Sequence, residues 1–478
     1  MIPQIPGWMK WMIIGCFIPF SQFVYGQHQE VNDKPEIWKN QEASGDTQKL
    51  MDVFKRGHIS GHFRSFFMNT QNAGALKDDY ALAMGGGLKF ESKTLYGFQL
   101  GLSGVYVFNV ASSALLQSDS LTGQNNRYEL GLFDISPRDN NLNVSRLEEL
   151  YLRWKNEKLN ITLGKQHINT PFINLQDGRM RPTAVDGIWV EWKPRNELNV
   201  VGGYLYGMSP RSTSRYFSIE NSIGLYPSGV DTAGKPSTYK GNLQIPGIAY
   251  AGLMGKIGKS IRWQSWQMWV MQLYYSSLYQ WEGNIKTKGR SQFLYAAQLI
   301  YQKQVGGGNQ TKNYTYIDSG ASSLVYGGKV GLGGAHGTLH LAYTHITAMG
   351  RYLLPREWGR DPFFTFMARE RNEGFGDLHA RVVEWSAQTK VKGLKYTLAL
   401  GYFDLPDVKN FALNKYGMPS YWQGNLDVRY SFGGFLKGLE SQLLYLHKWK
   451  TGEDYGNLKY VYNKVDMSNL NVVLNFYF

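Results

Sequence analysis

The last ten residues, Asn-Leu-Asn-Val-Val-Leu-Asn-Phe-Tyr-Phe, restrict the fold of this chain more than any other stretch. Side chains alternate between the two faces of a β-strand, so one face carries the apolar residues Leu470, Val472, Leu474, Phe476 and Phe478. The other face is mostly polar and includes three asparagines. A soluble sheet would leave this strand as an exposed, adhesive edge, whereas a closed membrane barrel turns the apolar face to lipid and pairs the edge. The segment predicts an all-β fold, a transmembrane antiparallel β-barrel.

The composition agrees with a barrel that crosses the membrane with strands. Aromatic residues make up 15% of the 478 residues, with 32 Tyr and 14 Trp, and such rings form the interfacial girdles of membrane barrels. Mean hydropathy is −0.37, and beyond the N-terminus no uncharged apolar run is long enough for a spanning helix. The length left for strands and loops fits about 16 to 18 strands, and we expect about 18. A soluble β-propeller is the alternative, although no blade-length repeat is visible.

The N-terminal region divides into two parts that precede the barrel. Residues 1–26, with Lys10 and an apolar run, predict a signal peptide. In an alternative interpretation, the sequence around Cys16 is a lipobox and Cys16 is acylated. Residues 27–55 are polar and predict a periplasmic lead-in of little order, or a short helix packed under the barrel. Residues 56–478 are predicted to form the barrel, with short periplasmic turns and longer extracellular loops.

The charge and the single cysteine limit the kinds of partner. The formal net charge is +14, which is compatible with nucleic acid, anionic lipid or an anion-attracting cavity. Positive residues are spread along the chain instead of forming a basic arm, so we expect no nucleic-acid partner. With Cys16 as the only cysteine, a disulfide or thiolate metal site is excluded from the mature chain. We expect neither a metal nor a cofactor.

The segment 163–182 contains the strongest candidates for a functional site. It leaves one predicted strand and returns in another, and it combines prolines and glycine with fixed charges. Such a segment is suited to folding into a barrel and narrowing its pore, although an ordinary extracellular loop is the alternative. The candidate constriction residues are Asn169, Asn174, Asp177, Arg179 and Arg181.

Several motifs in the first two-fifths of the chain resemble the OprD-like family of substrate-selective outer-membrane porins. In chain order they are Phe54–Met68, Asp79–Ala81 with Gly85–Leu88, Arg146–Leu152, Gly164–Gln166, Thr170–Asn174 and Asp177–Met180. The resemblance implies a monomeric 18-stranded barrel with inward-folded constriction loops. It also implies a wall of basic residues, an opposing acidic or carbonyl-rich side, and uptake of small charged nutrients such as carboxylates or amino acids.

Four residues are candidates for this basic ladder. The alternation pattern puts Arg153 and Arg429 on the lumen side, and the positions in the motifs make Arg64 and Lys165 candidates. Lys165 stands where the family usually has arginine, which keeps the charge but loses the bidentate geometry of a guanidinium group.

A second charged segment, 355–374, interleaves arginines and carboxylates with aromatic residues. It is predicted either to enter the lumen or, as the favoured interpretation, to fold on itself as a surface loop. A helical metal site at His336 and His340 is not expected, because this stretch is predicted to be a strand. No Gly-x-Ser-x-Gly motif is present.

Together these features predict an outer-membrane porin of a Gram-negative bacterium, without catalytic residues, for passive uptake of small polar or anionic solutes. The expected partners are these solutes, outer-membrane lipid, and the barrel-assembly machinery, which would recognise the C-terminal Phe478. The alternatives are a barrel-borne hydrolase and a barrel for adhesion or structural support.

Overall fold

The computed structural model describes Trp38 and residues 46–137, 141–176, 178–287, 291–307 and 314–478. Within these residues eighteen antiparallel strands form one closed barrel. The strands are β1 (His58–Asn72), β2 (Asp79–Glu91), β3 (Phe98–Ser112), β4 (Val144–Lys155), β5 (Leu159–Gln166), β6 (Ala184–Arg195), β7 (Leu198–Ser209), β8 (Ile248–Ile257), β9 (Ile261–Val270), β10 (Tyr274–Lys286), β11 (Gln292–Gln304), β12 (Ser322–Gly334), β13 (Gly337–Ile346), β14 (Leu378–Gln388), β15 (Leu394–Asp404), β16 (Tyr421–Ser431), β17 (Leu439–Lys450) and β18 (Met467–Tyr477).

The remaining elements are short. They are the strands Asp46–Thr47, Thr94–Leu95 and Phe217–Ser218, the helix α1 (Leu50–Lys55), and the 3₁₀ turns Glu129–Leu132, Glu220–Ser222, Arg356–Trp358, Gly434–Leu436 and Leu458–Tyr460. No helix in the described part of the chain is long and apolar enough to cross a membrane.

The barrel closes where its first strand pairs with its last. Arg64 of β1 lies opposite Asn475 of β18 in an antiparallel register. Gly61 and Phe478 exchange two backbone hydrogen bonds, with N···O distances of 2.7 and 3.1 Å. Both edges of the sheet are thereby paired, which removes the exposed edge that the C-terminal strand would otherwise present.

The alternation predicted for the C-terminal strand is confirmed. Leu474 and Phe476 are 42% and 40% exposed on the outer face, whereas Asn469 and Asn471 are fully buried on the inner face. The asparagines bond to each other and to the wall, with Asn471 Nδ2 donating to Asn469 Oδ1 at 2.7 Å. The inner face of β18 is therefore polar and hydrogen-bonded, and its outer face is apolar.

The two ends of the barrel differ in their connections. At the end that holds the C-terminus, tight turns join the strands, as at 156–158 and 335–336. At the opposite end most of the connections are longer, and four of them contribute to the lumen. Three are 113–143, 167–183 and 347–377, which we call loops A, B and C, and the fourth is 210–247.

Loop C folds into the barrel, so the interpretation of this segment as a surface loop was wrong. Trp358, Phe363 and Phe375 in this loop are at most 1% exposed. They join a buried cluster with Phe172 of loop B and Leu278 of β10. The aromatic side chains that alternate with its charges are too apolar to remain at a surface, and burying them against the wall stabilises the loop inside.

The described part of the predicted lead-in is more ordered than expected. The strand Asp46–Thr47 pairs in parallel with Thr94–Leu95, and the helix α1 follows it. The carbonyl of Val53 accepts a hydrogen bond from the backbone N–H of Lys93 at 2.9 Å, which holds α1 against the turn between β2 and β3. The predicted signal peptide, including Cys16, lies outside the described residues.

Candidate solute constriction

Loop C is bonded to the lumen side of β11. Gln302 Nε2 donates to the carbonyl of Leu353 at 2.8 Å, and Gln298 Nε2 donates to the carbonyl of Pro362 at the same distance. In return, Gln302 Oε1 accepts from the backbone N–H of Leu353 at 2.9 Å. The side-chain amides of one strand thus satisfy the buried backbone of the loop.

The same loop is also bonded to a distant part of the wall. Gln423 of β16 donates to the carbonyl of Ala368 at 2.9 Å, and Lys448 of β17 forms a 2.6 Å ion pair with Glu370. Arg369 donates to Asn471 of β18 at 2.8 Å. Loop C therefore crosses the lumen from β11 to β16, β17 and β18, the three strands that precede the closure.

Loop B bonds to loop C through Asn174 and through Thr183, whose Oγ1 donates to the carbonyl of Glu357 at 2.6 Å. The backbone N–H of Asn174 donates to the carbonyl of Trp358 at 3.0 Å. Its side chain accepts from the backbone N–H of Arg360 and donates to the carbonyl of Arg360, each at 3.0 Å. Asn174 thus helps to join the two loops, and we expect the position of this junction to affect the width of a passage beside it.

The variant Asn174→Ala is expected to make this passage less uniform in width. It leaves the N–H and carbonyl of Arg360 without their partner, at a cost of about 1–3 kcal/mol for each buried group. We expect larger current fluctuations in the open state of single channels in planar bilayers. Asn169→Ala in the same loop is the control, because Asn169 is exposed and, among the described residues, its side chain bonds only to Leu175 of loop B, at 3.5 Å. Equal noise in the two variants would show that the junction does not set the width.

Arginines converge where loops A, B and C meet the connection 210–247. Among the described residues, six arginines and one carboxylate belong to the lining of a cavity of ≈ 40 Å³, which is room for a few water molecules. The arginines are Arg127, Arg179, Arg211, Arg356, Arg369 and Arg371, and the carboxylate is Glu370. We call this group the arginine cavity.

The arginine cavity holds more positive than negative charge. Glu370 interacts with Arg127 at 3.2 Å as well as with Lys448. Burial alone would raise the pKa of Glu370, but Lys448 and Arg127 outweigh it and lower the pKa to about 2. Burial, followed by the nearby charge of Arg211, lowers the pKa of Arg371 to about 9. Burying several guanidinium groups close together carries an electrostatic cost that an entering anion would reduce.

Of the predicted constriction residues, Arg179 and Arg181 lie inside the barrel, but they have different partners. Arg179 lines the arginine cavity and its carbonyl accepts a hydrogen bond from Arg64. Arg181 forms a bidentate ion pair with Glu148 and lies 2.9 Å from the His62 ring. Asn174 joins two loops, Asn169 is exposed, and Asp177 lies outside the described residues.

Three of the four predicted ladder residues face the lumen. Arg64 donates to Asn475 at 2.7 Å. Nearer the tight-turn end, Arg153 lies 3.8 Å from Glu91 and Arg429 forms a 2.6 Å ion pair with Asp427. They lie on different parts of the wall.

Lys165 is not on the lumen side, so its placement in the ladder was wrong. Its register partner on β4 is Leu150, which is 46% exposed on the outer face. Lys165 bonds to Asp186 at 2.8 Å and to Ser209 at 2.9 Å. Its side chain also lies over the ring of Tyr216. The strand register therefore assigns it to an ion pair on the outside of the barrel.

Most residues of the arginine cavity could not be identified from the sequence. Arg127 and Arg211 come from separate connections, and no local pattern distinguishes them from other loop arginines. The arginines of loop C had a signal, since Trp358 and Phe363 lie among them and require burial.

Fold and cavity define a class of protein: a closed antiparallel barrel of eighteen strands narrowed from within by its own loops. No family model and no curated protein matches the sequence. Solved structures do match. The outer membrane protein OpdK of Pseudomonas aeruginosa, in a crystal structure with vanillate, superposes with a TM-score of 0.68 at 15% identity, covering 89% of this chain and 99% of that chain.

Two further solved structures superpose on this chain with similar scores. OccK9 (OpdG) of Pseudomonas aeruginosa gives the same four values. OccAB4 of Acinetobacter baumannii gives a TM-score of 0.65 at 15% identity, covering 88% of this chain and 98% of that chain. These relatives are OprD-like porins, so the resemblance predicted from the motifs is confirmed for the fold.

Proposed function

We propose that this protein is a porin in the outer membrane of a Gram-negative bacterium, through which small anionic solutes diffuse passively. One observation supports this most: six arginines line a small cavity beside the loop that crosses the lumen of a closed barrel. Known structures with this fold are outer-membrane porins. The fold does not itself exclude catalysis, and the experiment below separates a channel from a barrel enzyme or an adhesion protein.

The cation excess would lower the energy of an anion in the constriction. Charges in a confined, poorly hydrated site interact more strongly than in bulk water. Guanidinium groups can also bind a carboxylate with two parallel hydrogen bonds, which orients the solute. Arg153 and Arg429, each close to a carboxylate, would offer weaker sites beyond the arginine cavity, and a series of weak sites allows a bound ion to leave again.

The proposed solutes are small carboxylates or amino acids. The crystal structure of OpdK contains vanillate, which is an aromatic carboxylate of this size class. A cavity of ≈ 40 Å³ is too small for such a molecule, so its passage requires the arginine side chains or loop C to move. We propose passage by displacement of these side chains, with no cofactor.

We further propose that the barrel functions as a monomer in contact with outer-membrane lipid. The backbone of Phe478, directly after β18, pairs with Gly61, and the residue is 65% exposed. An accessible terminal aromatic ring is the feature through which the barrel-assembly machinery would recognise the chain.

The experiment that tests the function is conductance of the refolded mature chain in planar bilayers, with the reversal potential measured across a salt gradient. Discrete channels with anion preference are expected, and small carboxylates added on one side should block the chloride current. A folded barrel, identified by its heat-dependent mobility on gels, that conducts no ions would refute the porin proposal.

The anion preference is expected to decrease as the pH rises through 7. Burial, opposed in part by hydrogen bonds from Thr70 and Asn126, raises the pKa of Glu129 in loop A to about 7. Its carboxyl is therefore neutral below this pH and negative above it, and Tyr128 beside it lines the arginine cavity. The stability of the fold should depend on pH in the same direction. The folded state is most stable with Glu129 protonated, below the pKa of this group in the unfolded chain, and this stability is lost as the pH rises through 7.

The reversal potential of the parent and of Glu129→Gln should be compared at pH 5.5 and 8.5. The parent should lose part of its anion preference at the higher pH, and the variant should lose much less. Three other groups titrate in this range and account for the change that remains. Burial raises the pKa of Asp361 in loop C to about 6, and it lowers the pKa of Lys464 to about 7 and that of Lys415 to about 8. An identical pH dependence of the two proteins would contradict the assignment to Glu129.

A further inference from the structure

Three possible metal ligands meet on the barrel wall at the end with the long connections. His345 of β13 and His379 of β14 are direct cross-strand partners. Asp377 immediately precedes β14, and one ligand atom from each of the three residues lies within 4.8 Å of the others. Imidazole nitrogens and a carboxylate oxygen are the donors that zinc and related divalent transition metals take in proteins.

This cluster lies on the outer face of the barrel. His345 pairs with Tyr326 of β12, which is 44% exposed to the outside. The neighbouring residues in sequence, Ile346 and Ala380, are fully buried toward the lumen. The cluster is therefore reached from the surroundings and not through the arginine cavity.

Both rings are oriented by contacts of their Nδ1 atoms. His345 Nδ1 lies 3.1 Å from the carbonyl oxygen of Leu378. A carbonyl only accepts, so this nitrogen carries the hydrogen and Nε2 carries the lone pair. His379 Nδ1 lies 2.7 Å from the hydroxyl of Tyr343, and the two rings stack with centroids 4.0 Å apart. Metal-binding histidines typically have their second nitrogen held in this way.

The local charges favour a cation. Asp404 of β15 is the cross-strand partner of His379 on its other side, so two carboxylates flank the histidine pair. Arg381, two residues further along β14, carries a positive charge. The charges of Asp377, Asp404 and Arg381 all interact with His379. Two carboxylates and one guanidinium leave a negative balance near the imidazoles.

We propose that His345, His379 and Asp377 bind a divalent transition-metal ion of the zinc class on the outer rim of the barrel. Asp404 neutralises part of the ion's charge, and water completes the coordination. No metal site was expected from the sequence, because only the register of β13 and β14 brings together these histidines, which are far apart in the chain.

The test uses the full chain without a histidine tag, refolded in detergent and titrated with Co²⁺, whose visible d–d bands report coordination by nitrogen and oxygen. One Co²⁺ per chain is expected, displaced by Zn²⁺. The variants His379→Ala and Asp377→Asn should each weaken binding by about tenfold or more. Tyr343→Phe should weaken it less, because it removes only the contact that orients the ring.

His447→Ala is the matched control. His447 also lies on a barrel strand, beside Trp449 and bonded to Ser468, and its removal should leave Co²⁺ binding unchanged. Heat-dependent gel mobility shows which variants are folded. Binding that is equal in folded parent, His379→Ala and Asp377→Asn, or no binding by the folded parent, would overturn the proposal.

Discussion

Replacement of residues 350–376 by a short glycine-serine linker is expected to increase single-channel conductance several-fold. This change removes the part of loop C that crosses the lumen, and with it Arg356, Arg369 and Arg371. The passage becomes wider and less positive, so the anion preference should decrease at the same time. The measurement is conductance and reversal potential in planar bilayers.

The matched control is the same replacement in the turn 432–438. This turn lies at the opposite end of the barrel, and its Phe435 is fully exposed. Conductance should therefore remain close to that of the parent. If the loop C variant is a folded barrel with unchanged conductance, loop C does not restrict the passage.

The double variant Arg211→Glu/Arg371→Glu is expected to reverse the ion preference from anions to cations. Both residues line the arginine cavity, and the two substitutions change its charge by four units. Because the cavity is enclosed by protein, this change acts on every ion that passes. The reversal potential across a salt gradient should change sign, while the size of the passage remains similar.

A milder variant and a control of equal charge complete this experiment. Arg211→Gln/Arg371→Gln should lose much of the anion preference without reversal, and it avoids burying new carboxylates. Lys158→Glu/Lys437→Glu makes the same charge change at exposed turns, where water and salt screen it, and should shift the reversal potential only slightly. Equal shifts in the cavity and turn variants would refute selection by the arginine cavity.

The barrel could be predicted from the sequence because the alternation of side chains between the two faces of a strand is a local pattern. The period of two in β18 correctly separated Leu474 from Asn475, and it placed Arg153 and Arg429 on the inner face. Lys165 was assigned from a motif position instead. The same period puts Lys165 with the apolar Leu163, on the outer face, so the local pattern was the better guide.

The loops were less predictable because their partners are far away in sequence. Gln302 and Gln423 bond to main-chain carbonyls of loop C, and a main-chain carbonyl is present in every residue. Asn174 likewise meets the backbone of Arg360. Such contacts depend on where the chain passes in three dimensions, which no spacing along the sequence encodes.

The two attachments of loop C also restrict the order in which the barrel can form. Its partner Gln302 belongs to a strand that precedes the loop in the chain, whereas Gln423 and Lys448 belong to strands that follow it. The loop can be held across the interior only after both sets of strands have assembled. Pairing of β1 with β18 then encloses it, so we expect this last seam to form late, around a loop that is already in place.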